Sequence, residues 1–427
     1  MYGEGDPVTI GGERLSARED LRPQYTKAFQ CIGSECEDTC CHGFAVTIDK
    51  ATYLRYEGNA EFRPGIETHF TRIEGNATDA AFARIRLTPD YNCPFLTRDR
   101  LCGIQIKHGS EYLSEVCVSY PRTSRRIDGL IEKALYLSCP EAARVVLLNP
   151  NLMKPEKDEN GSGSRYQRLL TADDQAGEAN ASPHAYLWEI RRLTLSLIRD
   201  RSYPLWQRLF ILGLFCKRLD QLVSSRMQAL VPRLLREYAE ALLEGKLRPL
   251  LDGIPEQRPL QLRIVSEVIE RHLALQINDR GHARFRECVQ DFLKGIEWDE
   301  VGPVESCISA FAEARQRYYE PFMQAHPFIL ENYLVNHVFK TRFPFGVNHR
   351  GEPNSPQKEF LVMSVLFAAI NGLLIGIAGH DREGFATTHV VKLVQSFSKA
   401  VEHCPEFLPT LDPKLGGGAG MAQLLKN

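Results

Sequence analysis

The sequence predicts a mainly α protein, in which a small, irregular, Cys-rich, metal-organised domain precedes a larger all-helical domain. Three observations carry that prediction. Eight of the twelve cysteines fall between Cys31 and Cys139. Apolar residues recur at helical spacing over most of the chain beyond residue 185. One run, FLVMSVLFAAINGLLIGIAG from Phe360 to Gly379, holds no charged residue and is long enough for a spanning or fully buried helix. The expected organisation is a Cys-rich iron–sulfur or metal-binding domain over 1–150, a linker or mobile loop over 151–184, a helical domain over 185–412 and a tail over 413–427.

The Cys-rich part opens with CIGSECEDTCCHGF, Cys31 to Phe44. In AVTIDKATYLRY a short strand or turn runs into a helix, with Asp49 as its N-cap. RIRLTPDYNCPFLTRDRLCGIQIKHGSEYLSEVC alternates apolar and polar residues around Pro89, Gly103 and Gly109, which predicts short strands and turns and a helical turn before Cys117. Dense thiols in such irregular sequence suggest that a metal stands in for a core.

LMKPEKDENGSGSRYQRLLTADDQAGEANASPH, from Leu152 to His184, is rich in charge, Gly, Ser and Asn and reads as the linker. Beyond it, Leu205, Leu209, Leu212, Cys216 and Leu219 form one helical stripe. SRMQALVPRLLREYAEALLEG, LQLRIVSEVIERHLALQI and CISAFAEARQRYYEPFM repeat the pattern. Within the apolar run, Gly372 and Gly376 have GxxxG spacing, which favours close helix contact in lipid or in a protein core. Ser364 and Asn371 inside the run, and its isolation in a long helical region, favour a buried central helix over a membrane contact or span.

With a formal net charge of −2, nothing in the composition calls for nucleic acid as partner. The first twenty residues lack a basic region followed by an apolar one, so the expected location is cytoplasmic, where thiols stay reduced and disulfides are disfavoured.

The eight clustered thiols, Cys31, Cys36, Cys40, Cys41, Cys93, Cys102, Cys117 and Cys139, are expected metal ligands. No two are three apart, so the commonest zinc knuckle is missing. The adjacent Cys40 and Cys41 point in different directions in regular backbone, which suits two metals or the corners of a larger object such as a 4Fe-4S cluster. Iron–sulfur therefore leads zinc, and zinc leads a metal-free reading. Gly43 stands where a radical S-adenosylmethionine motif would require its third cysteine.

CIGSECEDTCCHGF, CPFL at Cys93, LCGIQ at Leu101, LSEVCVSYPR at Leu113 and LSCPEAAR at Leu137 together resemble the bacterial flagellin lysine-N-methylase family. Their cysteine core resembles the wider group of Cys-rich zinc- or iron-chelating proteins. ENYLVNHVFKTRFPF, Glu331 to Phe345, resembles a second block of the same family. The resemblance implies methyl transfer from S-adenosylmethionine to flagellin lysines, dependent on an iron–sulfur cluster. No Gly-rich Rossmann turn is present, so S-adenosylmethionine must be held in another way.

A lysine amine has to lose its proton before it attacks a methyl group, and a nearby carboxylate or tyrosine can take it. On the second block, Glu331, Tyr333 and Asn336 are the candidate catalytic residues. Asn332, on one helix face with Asn336, and Arg122 after the Cys117 loop are candidates for binding the cofactor. The alternative is a non-catalytic metal-binding adaptor whose helices hold a partner.

Overall fold

The computed structural model describes residues 23–403 and Leu425, except for 24, 45, 76, 128–129, 154–185, 255–261, 264, 268, 271–281, 300–302 and 348–351. The expected linker and tail, the third helical stripe and Cys404 lie wholly or largely outside the described residues. The fold is mainly helical, as the sequence predicts.

The Cys-rich part contains short elements: α1 (Tyr25–Ala28), β1 (Thr47–Ile48), α2 (Lys50–Gly58), α3 (Ile66–His69), β2 (Phe70–Arg72), β3 (Ala83–Ile85), α4 (Gly103–His108) and α5 (Glu115–Ser119). Asp49 caps α2, accepting from the backbone N–H of Thr52 at 2.8 Å. The three strands form an antiparallel sheet in the order β1-β3-β2, with Thr47 opposite Arg84 and Phe70 opposite Ile85. This sheet and α2 bury Ile48, Tyr53, Tyr56, Phe62, Phe70 and Ile85 in a small aromatic core. Tyr56 stacks on Phe62 with ring centroids 4.6 Å apart. This lobe has a small apolar core of its own, with Cys93 in it.

The antiparallel hairpin β4 (Arg122–Ile127) and β5 (Leu130–Leu135), followed by α6 (Pro140–Leu147), belongs to a different and much larger core. Ile127, Leu135, Leu137 and Val146 pack there, together with Tyr25 and Phe29 from the start of the described chain. The lobe from about Ile48 to Leu113 is thus an excursion with both ends anchored in the helical body.

That body comprises α7 (Leu187–Arg199), α8 (Leu205–Ser224), α9 (Val231–Leu243), α10 (Arg248–Asp252), α11 (Ala283–Gly295), α12 (Val304–Ala314), α13 (Glu320–Ala325), α14 (Phe328–Thr341), α15 (Pro356–Asp381) and α16 (Thr387–Phe397). A π-helical turn, Arg315–Tyr319, joins α12 to α13, and another, Ser398–Glu402, extends α16. The stripe on α8 is buried as predicted, with Leu209, Leu212, Cys216 and Leu219 inaccessible.

By length and composition α15 could cross a membrane, but 94% of its most apolar stretch is buried inside the protein. Ser364 satisfies its hydroxyl on the Phe360 carbonyl, and Asn371 accepts from the buried Tyr319 hydroxyl. The small residues serve helix packing: a Cβ on Gly295 of α11 would lie 1.7 Å from the Gly376 carbonyl oxygen of α15. A side chain on Gly376 would strike the Phe292 ring at 2.3 Å.

Candidate functional site

Two backbone turns gather the thiols. After the Cys40–Cys41 pair, Gly43 takes φ of 80°, a left-handed value that glycine adopts freely. The chain then pairs with residues 91–93: the Gly43 N–H donates to the Tyr91 carbonyl at 2.9 Å and the Cys93 N–H to the Cys41 carbonyl at 2.7 Å. His42 Nδ1 lies 2.9 Å from Asn92 Oδ1 across the same bridge. Beyond Cys93 the chain folds back, so that Leu96 pairs with Cys102 and the Gly103 N–H donates to the Phe95 carbonyl at 2.8 Å. A Cβ at Gly103 would be 2.9 Å from that oxygen, so only glycine closes the turn.

The result is a thiol centre in which Cys41 contacts Cys102, Cys40 and Cys93. Hydrogen bonding from Cys41 lowers the pKa of Cys40, Cys93 and Cys102, the last to about 6. Cys102 also stands at the N-cap position of α4, where the nearby Gln105 and Ile104 N–H groups favour its thiolate. Cys41 is pushed up by those same bonds and keeps its proton. Burial raises Cys117 to about 12, and Cys102, Cys93 and Cys40 are close enough to add to the rise. On the other side Cys139, also raised to about 12 by burial, lies near Cys36 and Cys40, and Cys36 near Cys31. Thiols from 31–41 and from 93–139 therefore converge through Cys40 and Cys41.

Among the described residues, no three His, Cys, Asp or Glu side chains surround a common point as the ligands of a metal ion do; the sulfurs meet one another. The chemistry of the donor set still fits an iron–sulfur cluster or zinc, because four soft ligands converge and three of them ionise easily. Cys40, Cys41, Cys93 and Cys102 are the residues that would hold it.

The helical body closes over this centre with α16. The buried Lys399 ammonium donates to Asp38 Oδ2 at 2.8 Å and to the Thr39 carbonyl at 3.3 Å, and lies over the Phe44 ring. Gln395 donates to the same carboxylate oxygen at 2.8 Å and to the Ser138 carbonyl at 3.0 Å. The Ser138 hydroxyl lies 2.8 Å from His403 Nε2 and 3.0 Å from the Tyr120 hydroxyl. Behind them Tyr333 donates to Glu402 at 2.8 Å, and Lys340 pairs with Glu402. Burial opposes ionisation of Glu402, but Lys340 outweighs it and holds the carboxyl down to about 2. Burial first, and Lys340 second, lowers His403 to about 4 and His337 to about 3, so both imidazoles are neutral at pH 7. Both ring nitrogens of His337 are buried without a partner. Sequence reasoning missed Lys399, Ser138 and His403. Their partners lie up to 361 residues away, so no local pattern marks them.

The residues expected to bind the cofactor or do the chemistry are placed otherwise. Glu331 is 4% exposed and receives Arg208 at 3.0 Å and both arms of Arg201 at 3.1 Å. Asn332 donates to the carbonyls of Val146 and Asn149 at 3.0 and 2.7 Å, closing the end of α6. Asn336 exchanges hydrogen bonds with the Leu135 backbone at 3.2 and 2.9 Å and accepts from Tyr25 at 2.7 Å. Arg122 donates to the Phe29 carbonyl at 3.1 Å and covers its ring. Together with Tyr333, these five side chains join separate elements of the body and share no cleft. Their polar character comes from satisfying buried backbone and charge.

The C-terminal part of the chain, residues 191–425, matches the model of the FliB lysine N-methylase C-terminal domain. Two lysine-N-methylases, from Salmonella typhimurium and Salmonella choleraesuis, are each 24% identical over 394 residues, covering 90% of this chain and 92% of theirs. The flagellar biosynthetic protein FliU of Salmonella muenchen is 33% identical over 134 residues, 31% of this chain and 78% of that protein. No solved structure matches the chain. With more than half its length matched by that model, and with the cysteine and Glu331 blocks that the resemblance rests on in place, the chain belongs to the FliB lysine N-methylase family.

Proposed function

We propose that this lysine N-methyltransferase takes its methyl group from S-adenosylmethionine and transfers it to surface lysines of flagellin in the cytoplasm. Its activity depends on an iron–sulfur cluster held by Cys40, Cys41, Cys93 and Cys102. The observation that carries the cluster reading is the convergence of thiols from two distant segments on Cys41. The flagellar context is supported by the similarity to the flagellar biosynthetic protein.

In the reaction the lysine nitrogen, freed of its proton, attacks the methyl carbon of the sulfonium. The carbon–sulfur bond breaks with its electron pair going to sulfur, which leaves as a neutral thioether. An iron–sulfur cluster supplies redox-active, Lewis-acidic iron when bound. The chain's own contribution at the centre is positional: Lys399 and Gln395 fix the Asp38–Thr39 turn, and Ser138 ties His403 to the segment carrying Cys139. Glu331 and Tyr333 are already engaged with Arg208 and Glu402, so the lysine proton goes to a carboxylate or phenol at a more open site.

The test is incubation of anaerobically purified protein with flagellin and methyl-labelled S-adenosylmethionine, alongside iron, sulfide and zinc analysis. Label on flagellin lysines is expected, and iron with sulfide in equal amounts. An iron-replete protein that leaves lysine unlabelled overturns the activity, and a colourless zinc-only protein overturns the cluster. The adaptor alternative does not fit membership of a lysine N-methylase family.

A further inference from the structure

A groove of about 680 Å³ opens between the C-terminal end of α11, the exposed side of α12 and the end of α15. Its volume lies in the range of small-molecule sites. The close crossing at Gly295 draws α11 onto α15, and Gly379 continues that seam, so the floor is backbone and the walls carry the functional groups.

Those groups are of mixed sign. Among the described residues, Glu297 and Glu305 bring carboxylates with no basic side chain in ion-pair distance, and Arg382 brings a guanidinium with no acid in ion-pair distance. Glu313 and Arg317, by contrast, are paired with each other at 2.6 Å. The wall also carries the half-buried ring of Tyr318 and the hydroxyl-bearing Ser306. Glu297 and Arg382 are both held at positive φ, 52° and 51°, by the turns that end α11 and α15.

We propose that this groove is the binding site for S-adenosylmethionine, an inference that rests on that molecule being the methyl donor. The ligand is a zwitterion with an added cationic sulfonium, a diol and an aromatic base. Arg382 matches its carboxylate, Glu297 and Glu305 its ammonium, sulfonium or ribose hydroxyls, and Tyr318 offers a ring for the base. Such a site needs no Gly-rich turn, which accounts for the missing Rossmann signature.

Calorimetric titration of the full-length, metal-loaded protein with S-adenosylhomocysteine tests the assignment. Arg382→Ala and Glu305→Gln, both at exposed positions, are expected to weaken binding about tenfold or more, the loss of one charge-assisted hydrogen bond each. The analogue lacking the α-carboxylate should bind wild type weakly and be insensitive to Arg382→Ala, an outcome that a merely misfolded variant would not give. Wild-type binding that both substitutions leave unchanged overturns the groove while the donor stands. If wild type binds neither S-adenosylmethionine nor its product, the donor reading falls and the groove assignment with it. Loss of binding in Cys40→Ser with full binding in Arg382→Ala would move the donor to the thiols and overturn the proposal.

Discussion

Glu331 and Glu359 are both buried carboxylates, and their surroundings give them opposite behaviour. Glu331 lies against the equally buried Arg208. Glu331→Ala leaves that guanidinium inside without a counter-charge, and is expected to lower unfolding stability by about 3–5 kcal/mol in urea titration. The few molecules folded at low temperature should keep near-normal turnover, because the side chain touches no reacting group. Glu359 accepts a hydrogen bond from the Asn354 amide at 2.6 Å, and burial raises its pKa to about 7 despite that bond and the nearby Arg125. A carboxyl whose folded pKa is raised binds its proton more tightly when folded. The resulting stabilisation is complete below the unfolded value near 4.5 and is lost as pH rises through about 7. Thermal melts between pH 4.5 and 8 should therefore show a decline on the order of 3 kcal/mol that Glu359→Gln removes. A variant as pH-sensitive as wild type would contradict this account.

Among the elements, α15 and α16 tie separate parts of the molecule together. α15 is the core helix, and its small residues set how closely α11 approaches. Gly295→Ala would drive a methyl group into backbone, which cannot move aside as a side chain can, so a loss of at least about 3 kcal/mol is expected in thermal unfolding. α16 fastens the helical body to the cysteine lobe. Lys399→Met removes the ammonium from Asp38 and Thr39, and hydrogen exchange at residues 38–42 should accelerate at least about tenfold while the α8 amides stay protected. Equal protection in both proteins would show that Lys399 does not order the turn. Much of this level was legible in the sequence. The α8 stripe, the Asp49 cap and the burial of α15 follow from spacing and composition alone. The β4–β5 hairpin was not anticipated, although the sequence carries Asp128-Gly129, a usual hairpin signal. The contacts of Glu331, Asn332 and Asn336 are not legible in the sequence, because a buried polar side chain reads the same there whether it serves a substrate or a distant backbone carbonyl.

Across the whole molecule, the two apolar cores are unequal. The larger joins the helices with the hairpin, α6 and the first described residues; the smaller holds the cysteine lobe. The lobe's aromatic core is small, and the thiolates gathered beside it repel one another when no metal is bound. Chelation of a metal-loaded sample should therefore split thermal unfolding in two, with an early transition in the lobe and a late one little changed in the body. A single transition shifted as one would mean that the metal stabilises both equally. The meeting of thiols from residues 31–41 with thiols from 93–139 is expected from the sequence, and Cys41 meets Cys93 and Cys102. Chain before and after the lobe enters one core, so Ile127 and Leu152 pack with the helices of the body.

Because Tyr25 and Phe29 on one side and Ile127 and Leu135 on the other are gripped by the same helices, a protease cutting an exposed bend between them would release no fragment. The nicked chain would migrate as one particle under native conditions and as two bands only in detergent. The lobe hangs from the body like a handle riveted at both ends.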